Sequence, residues 1–171
     1  MGEIKLNLGC GNDLRQGYVN SDLYNDKADL KLDSSDLPYD DNSVDEILAY
    51  HIIEHFPYRK ALATIGEWHR VLKPGGRLRI ETPDLLSSCE EVTAHRDNPE
   101  WIRGFVGHFF SEAGDTPGQL HYFLFTEWHL AVELMRAGFK NLRRLDSDSS
   151  YVTGPPYINK KLMLNMEAFK K

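Results

Sequence analysis

The chain has 171 residues, of which 41% are hydrophobic and 27% are charged, with a formal net charge of −6. This composition is typical of one folded globular domain covering residues 1–171, and its acidic balance argues against nucleic acid as a partner. No apolar run approaches the ~18 residues of a membrane span. Two cysteines without a signal-peptide pattern predict a cytoplasmic protein.

Short apolar runs alternate with helical patterns, which predicts an α/β fold. In the N-terminal half we predict strands at residues 3–8, 18–22, 29–33, 44–50 and 77–82. A helix is expected after Pro57, because apolar residues then recur at helical spacing until the Pro-Gly-Gly at 74–76 ends it. Its apolar stripe consists of Ala61, Ile65, Trp68 and Leu72.

The C-terminal half continues the alternation. We predict a helix at 85–95 and another that begins with Thr126 as N-cap and ends with Gly138 as C-cap. The aromatic segment 101–110 is interpreted as a helix packed on the core, with a substrate pocket as the alternative. Strands are expected at 142–145 and 161–169, and a surface loop at 147–156.

The first three predicted strands are joined by very little chain. Only residues 9–17 and 23–28 separate them, whereas a helical crossover needs about a dozen residues. The strands at 3–8 and 77–82 also alternate apolar and polar residues, which is typical of a sheet with one uncovered face. We therefore predict a polar face that is solvated or forms a homodimer; the alternative is that long charged side chains reach out from a covered face.

A glycine turn follows the first strand in the segment Leu-Asn-Leu-Gly-Cys-Gly-Asn at 6–12. Glycine lets the backbone approach a ligand closely. A dinucleotide site would also need a glycine where Leu14 stands and a helix for the pyrophosphate, and there is no room for that helix. The turn therefore predicts a nucleoside ligand without a pyrophosphate.

Two aspartates end the neighbouring strands. Asp22 ends the second strand, where a carboxylate can accept hydrogen bonds from both ribose hydroxyls. Asp33 ends the third strand, before Ser34, and is placed to meet the amino group of an adenine. The alternative for each aspartate is a simple capping or turn role.

These features, in this order, resemble the class I S-adenosylmethionine-dependent methyltransferases, in particular a small bacterial type with a shortened first crossover. The resemblance extends over segments 6–11, 17–22, 37–45, 51–56, 70–78 and 137–139. It implies a single Rossmann-like α/β domain of three layers. The implied sheet is mostly parallel and seven-stranded, with an antiparallel last strand and one face that lacks some helices.

The resemblance also implies methyl transfer from S-adenosylmethionine to an unidentified small-molecule or carbohydrate-like acceptor. The cofactor contacts that it implies are Asn7, Leu8, Gly9, Cys10, Gly11, Asp22, Leu23, Asp33, Ser34, Tyr50 and His51. Tyr50 and His51 would lie beside the transferring methyl group. A general base is needed if the acceptor is a hydroxyl, and the candidates are His51, His55 and His121, because histidine titrates near neutral pH.

Two alternatives stay open. The shortened fold would also suit a non-catalytic S-adenosylmethionine-binding regulatory or partner protein, which cofactor turnover would exclude. The segment 51–55 has the His-x-x-Glu-His pattern of one group of zinc peptidases, with His51 and His55 as ligands and Glu54 as base. This zinc hydrolase alternative is the weaker one, because the motif starts at the end of a strand rather than inside a helix.

Overall fold

The computed structural model describes residues 2–110, 118–147 and 160–171. Its strands are β1 (Lys5–Leu8), β2 (Val19–Ser21), β3 (Val44–Tyr50), β4 (Leu72–Pro83), β5 (Phe139–Leu145) and β6 (Met163–Lys170). Its helices are α1 (Tyr58–Val71), α2 (Leu85–Ala94), α3 (Pro99–Phe110) and α4 (Glu127–Arg136), with short 3-10 helices at Ile53–His55 and Lys160–Leu162. The predicted surface loop at 147–156 lies outside the described residues, apart from Ser147.

The strands form one sheet in the order β2-β1-β3-β4-β6-β5. Only β6 runs against its neighbours, which confirms the mostly parallel sheet with an antiparallel last strand. The described residues contain six strands rather than seven. The strand predicted at 29–33 is reduced to one bridge between Ser21 and Leu30, because the Asp29 side chain accepts the Asn20 N–H at 2.8 Å in place of a strand ladder.

The core lies between one face of the sheet and helices α1 and α4. The α1 stripe predicted from the sequence is buried, with Ala61, Ile65 and Trp68 each no more than 1% exposed. Burial of this stripe stabilises α1, since most helix stability in proteins comes from packing of an apolar face. The sheet residues that meet the helices are Leu6, Leu8, Ile47, Ala49, Leu78 and Ile80.

Local capping explains where the C-terminal helices begin. The Thr126 hydroxyl accepts the His129 N–H at 3.2 Å at the start of α4, as predicted. Gly138, at φ 105°, follows the end of that helix and turns the chain into β5. This strand starts at Phe139, three residues earlier than predicted. Segment 101–110 is helical, with Phe105 buried against Leu162 and Met163, so the core interpretation of this aromatic segment is confirmed.

The opposite face of the sheet is polar, as predicted. The chain has no helix between residues 9 and 43, all of which the structure describes. The charged side chains of this face pair with one another: Arg77 bonds to Glu46 at 2.8 Å, and Arg143 bonds to Glu167 at 2.7 Å. Ion pairs between charged side chains therefore cover part of this face, where no helix packs. No helix in the described segments is long and apolar enough to span a membrane.

Candidate active site

A cavity of about 580 Å³ opens at the carboxyl ends of the parallel strands. Open α/β sheets bind ligands at this edge. The structure brings nine of the predicted site residues to the cavity wall: Gly9, Gly11, Asp22, Leu23, Asp33, Ser34, His51, His55 and His121. The cavity therefore joins the predicted cofactor and base residues in one space.

The glycine turn after β1 forms one wall of the cavity. Gly9 has φ +60°, and a Cβ added to it would lie 2.4 Å from the Cδ1 atom of Ile52. The next residue, Cys10, donates its backbone N–H to the Ser21 carbonyl at 3.0 Å, which anchors the turn to β2. Glycine is strongly favoured here, because the φ angle is strained for other residues and an added Cβ would have to displace the Ile52 side chain.

Asp22 organises the loop that faces this turn. One carboxylate oxygen accepts the Gly11 N–H at 2.9 Å. The other accepts the N–H groups of Tyr24 at 2.8 Å and Asn25 at 2.9 Å. The carboxylate thus fixes the turn and lines the cavity at the same time.

The next wall contains Asp33 and Ser34. One Asp33 carboxylate oxygen accepts the N–H and the hydroxyl of Ser35, and the other lies 3.4 Å from the Lys60 ammonium. Burial raises the pKa of Asp33, but the Ser35 hydrogen bonds and the Lys60 charge outweigh it, so the pKa is lowered. The carbonyl of Ser34 accepts the buried Trp68 indole N–H at 2.8 Å. Helix α1 therefore positions this wall.

His51 lies at the centre of the site, between two buried carboxylates. It is in the left-handed region at φ 52°, uncommon for a residue with a side chain. Its Nε2 lies 3.1 Å from Glu81, and its Nδ1 lies 3.5 Å from Glu54. Burial lowers the pKa of His51, but the two carboxylates outweigh burial and raise it to about 9. The ring is therefore an imidazolium at neutral pH.

His55 and His121 lie together on the far side of the cavity. Their ring centroids are 4.8 Å apart in an edge-on arrangement. The Nδ1 atom of His55 lies 3.2 Å from the Leu120 carbonyl, and the Tyr122 N–H donates to the Glu54 carbonyl at 2.8 Å. Segment 118–122 is thereby held against the 3-10 helix Ile53–His55.

Four predicted cofactor contacts are absent from the cavity wall. Leu8 is buried in the core, and Cys10 is 1% exposed behind the glycine turn. The Asn7 side chain donates to the Asp13 carbonyl at 2.7 Å. The Tyr50 ring lies under the guanidinium of Arg15, 5.1 Å from the ring centroid. Strand alternation explains the positions of Asn7 and Tyr50, since successive side chains point to opposite faces.

Other cavity residues were not among the site residues predicted from the sequence. They are Tyr24, Leu32, Ile52, Phe56, Pro57, Lys60, Pro83, Gly118, Gln119, Leu120, Tyr122 and Met163. Proximity to the motifs could have indicated Ile52, Phe56 and Pro57. Segment 118–122 had a weaker signal, its position in the long stretch before the last helix.

The helical zinc-ligand arrangement in the hydrolase alternative is wrong. His51 follows the end of β3, and His55 belongs to a short 3-10 helix, so the two rings do not share the face of one α-helix. In the part of the chain that the structure describes, the residues close enough to hold a metal are Glu54, His55 and His121.

Comparisons with known proteins agree with this architecture. Residues 10–80 match the family model described as a methyltransferase domain. No curated protein matches the chain in sequence.

Solved structures share the fold at low sequence identity. An S-adenosylmethionine-dependent methyltransferase from Methanosarcina mazei is 20% identical, with a TM-score of 0.63, over 99% of this chain and 94% of that one. Another, from Archaeoglobus fulgidus, is 15% identical, also with a TM-score of 0.63, over 98% and 86% of the two chains. The 1,6-didemethyltoxoflavin N1-methyltransferase of Burkholderia thailandensis, solved with S-adenosylhomocysteine, is 19% identical, with a TM-score of 0.57, over 98% and 71%. Residues 10–80 are therefore similar to a methyltransferase domain, and the chain shares the fold of these S-adenosylmethionine-dependent methyltransferases.

Proposed function

We propose that the cavity binds S-adenosylmethionine along its Asp22 side and a small polar acceptor along its His121 side, and that the methyl group passes between them. The observation that carries the proposal is the continuity of one cavity between these two residues. Direct methyl transfer requires the acceptor atom about 3–3.5 Å from the methyl carbon and in line with the bond that breaks. A shared cavity allows that geometry.

The side of the cavity near Asp22 offers a different group for each part of S-adenosylmethionine. The glycine turn at Gly9 and Gly11 gives the amino-acid end close access to the backbone. Asp22 would accept a ribose hydroxyl, with Leu23 beside it, and the Asp33 carboxylate would accept the adenine amino group. The four predicted contacts that do not line the cavity would support the glycine turn rather than touch the cofactor. They are Asn7, Leu8, Cys10 and Tyr50.

The base is assigned to the far side of the cavity. His51 already carries a proton at neutral pH, so it would act as a fixed positive charge rather than as a proton acceptor. His55 donates through Nδ1 to the Leu120 carbonyl, which leaves Nε2 as a proton acceptor. His55 and His121 are therefore the better candidates for deprotonating an acceptor hydroxyl.

A polar acceptor suits this side of the cavity, because its wall includes the side chains of Gln119, His121 and Tyr122. Hydrogen-bonding groups of this kind can orient the hydroxyls and amines of a polar acceptor. A carbohydrate-like acceptor is the specific proposal, and it derives from the resemblance to the small bacterial type.

The test has two stages. Calorimetric titration with S-adenosylmethionine and S-adenosylhomocysteine should show binding of both. Formation of S-adenosylhomocysteine is then measured with a panel of monosaccharides, sugar nucleotides, phenols and amines. The His55→Gln variant should lose turnover with a hydroxyl acceptor and keep cofactor affinity, whereas His95→Gln, a change at the residue that follows α2, away from the cavity, should keep both. Absence of cofactor binding would contradict the proposal, and binding without turnover would favour the non-catalytic alternative.

A further inference from the structure

We propose that Glu54, His55 and His121 bind a divalent transition-metal ion, with zinc as the best match. Within the described segments of the chain, these residues offer one ligand atom each, and the three atoms lie within 4.8 Å of one another. In a tetrahedral zinc site such atoms are about 3.3 Å apart, so a small side-chain adjustment closes the site. Two imidazoles and one carboxylate favour zinc over magnesium, which prefers oxygen ligands.

One oxygen of the Glu54 carboxylate accepts no hydrogen bond from the residues that the structure describes. The side chain is 0% exposed, and its Oε2 accepts the Thr82 hydroxyl at 3.1 Å. No described residue makes a hydrogen bond to its Oε1, and His51 Nδ1 lies 3.5 Å from that atom. The His51 imidazolium meets this oxygen only at 3.5 Å, so Oε1 keeps an acceptor position for a metal ion while Thr82 holds the carboxylate in place.

His55 has the hydrogen bond that metal-binding histidines commonly have. Its Nδ1 lies 3.2 Å from the Leu120 carbonyl, so the ring donates there. The Nε2 atom is then a ligand in the metal-bound protein and a proton acceptor only in the metal-free protein. The Tyr122 N–H bonds to the Glu54 carbonyl at 2.8 Å and holds the neighbouring His121 beside the 3-10 helix. These two hydrogen bonds, one from the His55 ring and one between backbones, bring ligands from two distant segments to one point.

The proposed ligand set leaves a coordination position open. Three protein ligands with an open position are typical of catalytic rather than structural zinc sites. Because His55 and His121 both line the cavity, the open position would face its interior and take an oxygen or nitrogen of the acceptor. This last step rests on the proposed function, whereas metal binding itself does not.

The set differs from that of the hydrolase motif, in which His51 is a ligand. Here the Nε2 of His51 is engaged by Glu81 at 3.1 Å. The His51→Gln variant should therefore keep a metal site formed by the other three residues. Under the motif-based interpretation the same variant would lose it.

The experiment uses the full chain after treatment with a chelator. Calorimetry with Zn²⁺ and absorption spectroscopy with Co²⁺ should show one equivalent bound. His121→Ala and His55→Gln should each weaken the binding at least tenfold, while the surface variant His95→Ala should not change it. Acetohydroxamate, a small bidentate metal ligand, should alter the Co²⁺ spectrum if the open position faces the cavity.

S-adenosylhomocysteine binding is measured on the same metal-free protein, so that the two proposals can fail separately. Cofactor binding without stoichiometric metal binding would overturn the metal site alone. Metal binding that His121→Ala leaves unchanged would overturn the ligand assignment, as would loss of binding in His51→Gln. Metal binding without cofactor binding would refute the proposed function and leave the metal site standing.

Discussion

Replacement of Asp22 by alanine tests the cofactor site most directly. The carboxylate accepts three backbone N–H groups, from Gly11, Tyr24 and Asn25, at 2.8–2.9 Å. A carboxylate offers about four acceptor positions. One position therefore remains for a ligand, and we expect Asp22 to take one ribose hydroxyl rather than two.

This count sets the expected magnitude. A hydrogen bond to a charged group contributes about 1.5–3 kcal/mol. Asp22→Ala should thus weaken S-adenosylhomocysteine binding by roughly 10- to 150-fold. The three orphaned N–H groups lie at a partly exposed turn where water can reach them, so the free energy of unfolding should fall by only about 1–3 kcal/mol.

The assay combines calorimetric titration with urea denaturation. Asp22→Asn is the second variant, because it keeps the shape but turns one acceptor oxygen into a donor that faces an N–H group. Asp26→Ala is the matched control: Asp26 lies in the same loop, is exposed, and pairs with Lys31 at the surface. An Asp22→Ala protein that is folded and binds S-adenosylhomocysteine within about twofold of the unmodified chain would refute the assignment.

Two further substitutions and one labelling experiment probe the side of the cavity proposed to bind the cofactor. Gly9→Ala should weaken cofactor binding and lower the melting temperature, because it adds about 1–2 kcal/mol of backbone strain and a 2.4 Å contact with a neighbouring isoleucine; unchanged values would contradict the close approach. Trp68→Phe should lower the urea-measured free energy of unfolding by about 1–3 kcal/mol, because the buried Ser34 carbonyl loses its 2.8 Å hydrogen bond. Burial and the carboxylate of Asp22 raise the pKa of Cys10 to about 11, so maleimide at pH 8 should label only Cys89 in the folded protein, and early labelling of Cys10 would contradict its burial.

Local sequence signals predicted several of the residues that line the cavity. The turn at Gly9 and the position of Asp22 directly after β2 follow from residues close together in the chain. Helix α1 follows from the period of its apolar stripe. Each of these features is determined by residues close in sequence or by one repeating pattern, so the sequence alone is enough to predict it.

The central charge cluster could not be predicted in this way. His51 and Glu81 are 30 residues apart, and they meet because β3 and β4 are neighbours in register. The imidazolium state of His51 depends on this contact between distant residues, so no single sequence motif predicts it. The docking of segment 118–122 on Glu54 likewise depends on one backbone hydrogen bond between distant segments.

The predicted strand at 29–33 failed for a related reason. Its apolar alternation was short, and Asp29 offered the Asn20 backbone a side-chain acceptor. Aspartate competes with strand ladders through such bonds. A pattern of five residues carries too little information to decide between the two arrangements.

The polar sheet face leads to a prediction about assembly. Its charged side chains form ion pairs rather than an apolar surface: Arg77 pairs with Glu46, and Arg143 pairs with Glu167. If this face joins two chains, the contact is electrostatic and should weaken as salt shortens the range of charge interactions.

In that case light scattering at high micromolar concentration gives a mass near twice the 19.6 kDa of one chain, and 0.5 M NaCl returns the mass toward that of one chain. Arg143→Ala, which removes a 67% exposed guanidinium from this face, should weaken the dimer. Arg96→Ala is the matched control, because Arg96 is also highly exposed but follows α2. A mass of one chain at every salt concentration would show that the ion pairs on this face need no second chain. The uncovered face of the sheet would then be stable because it is solvated.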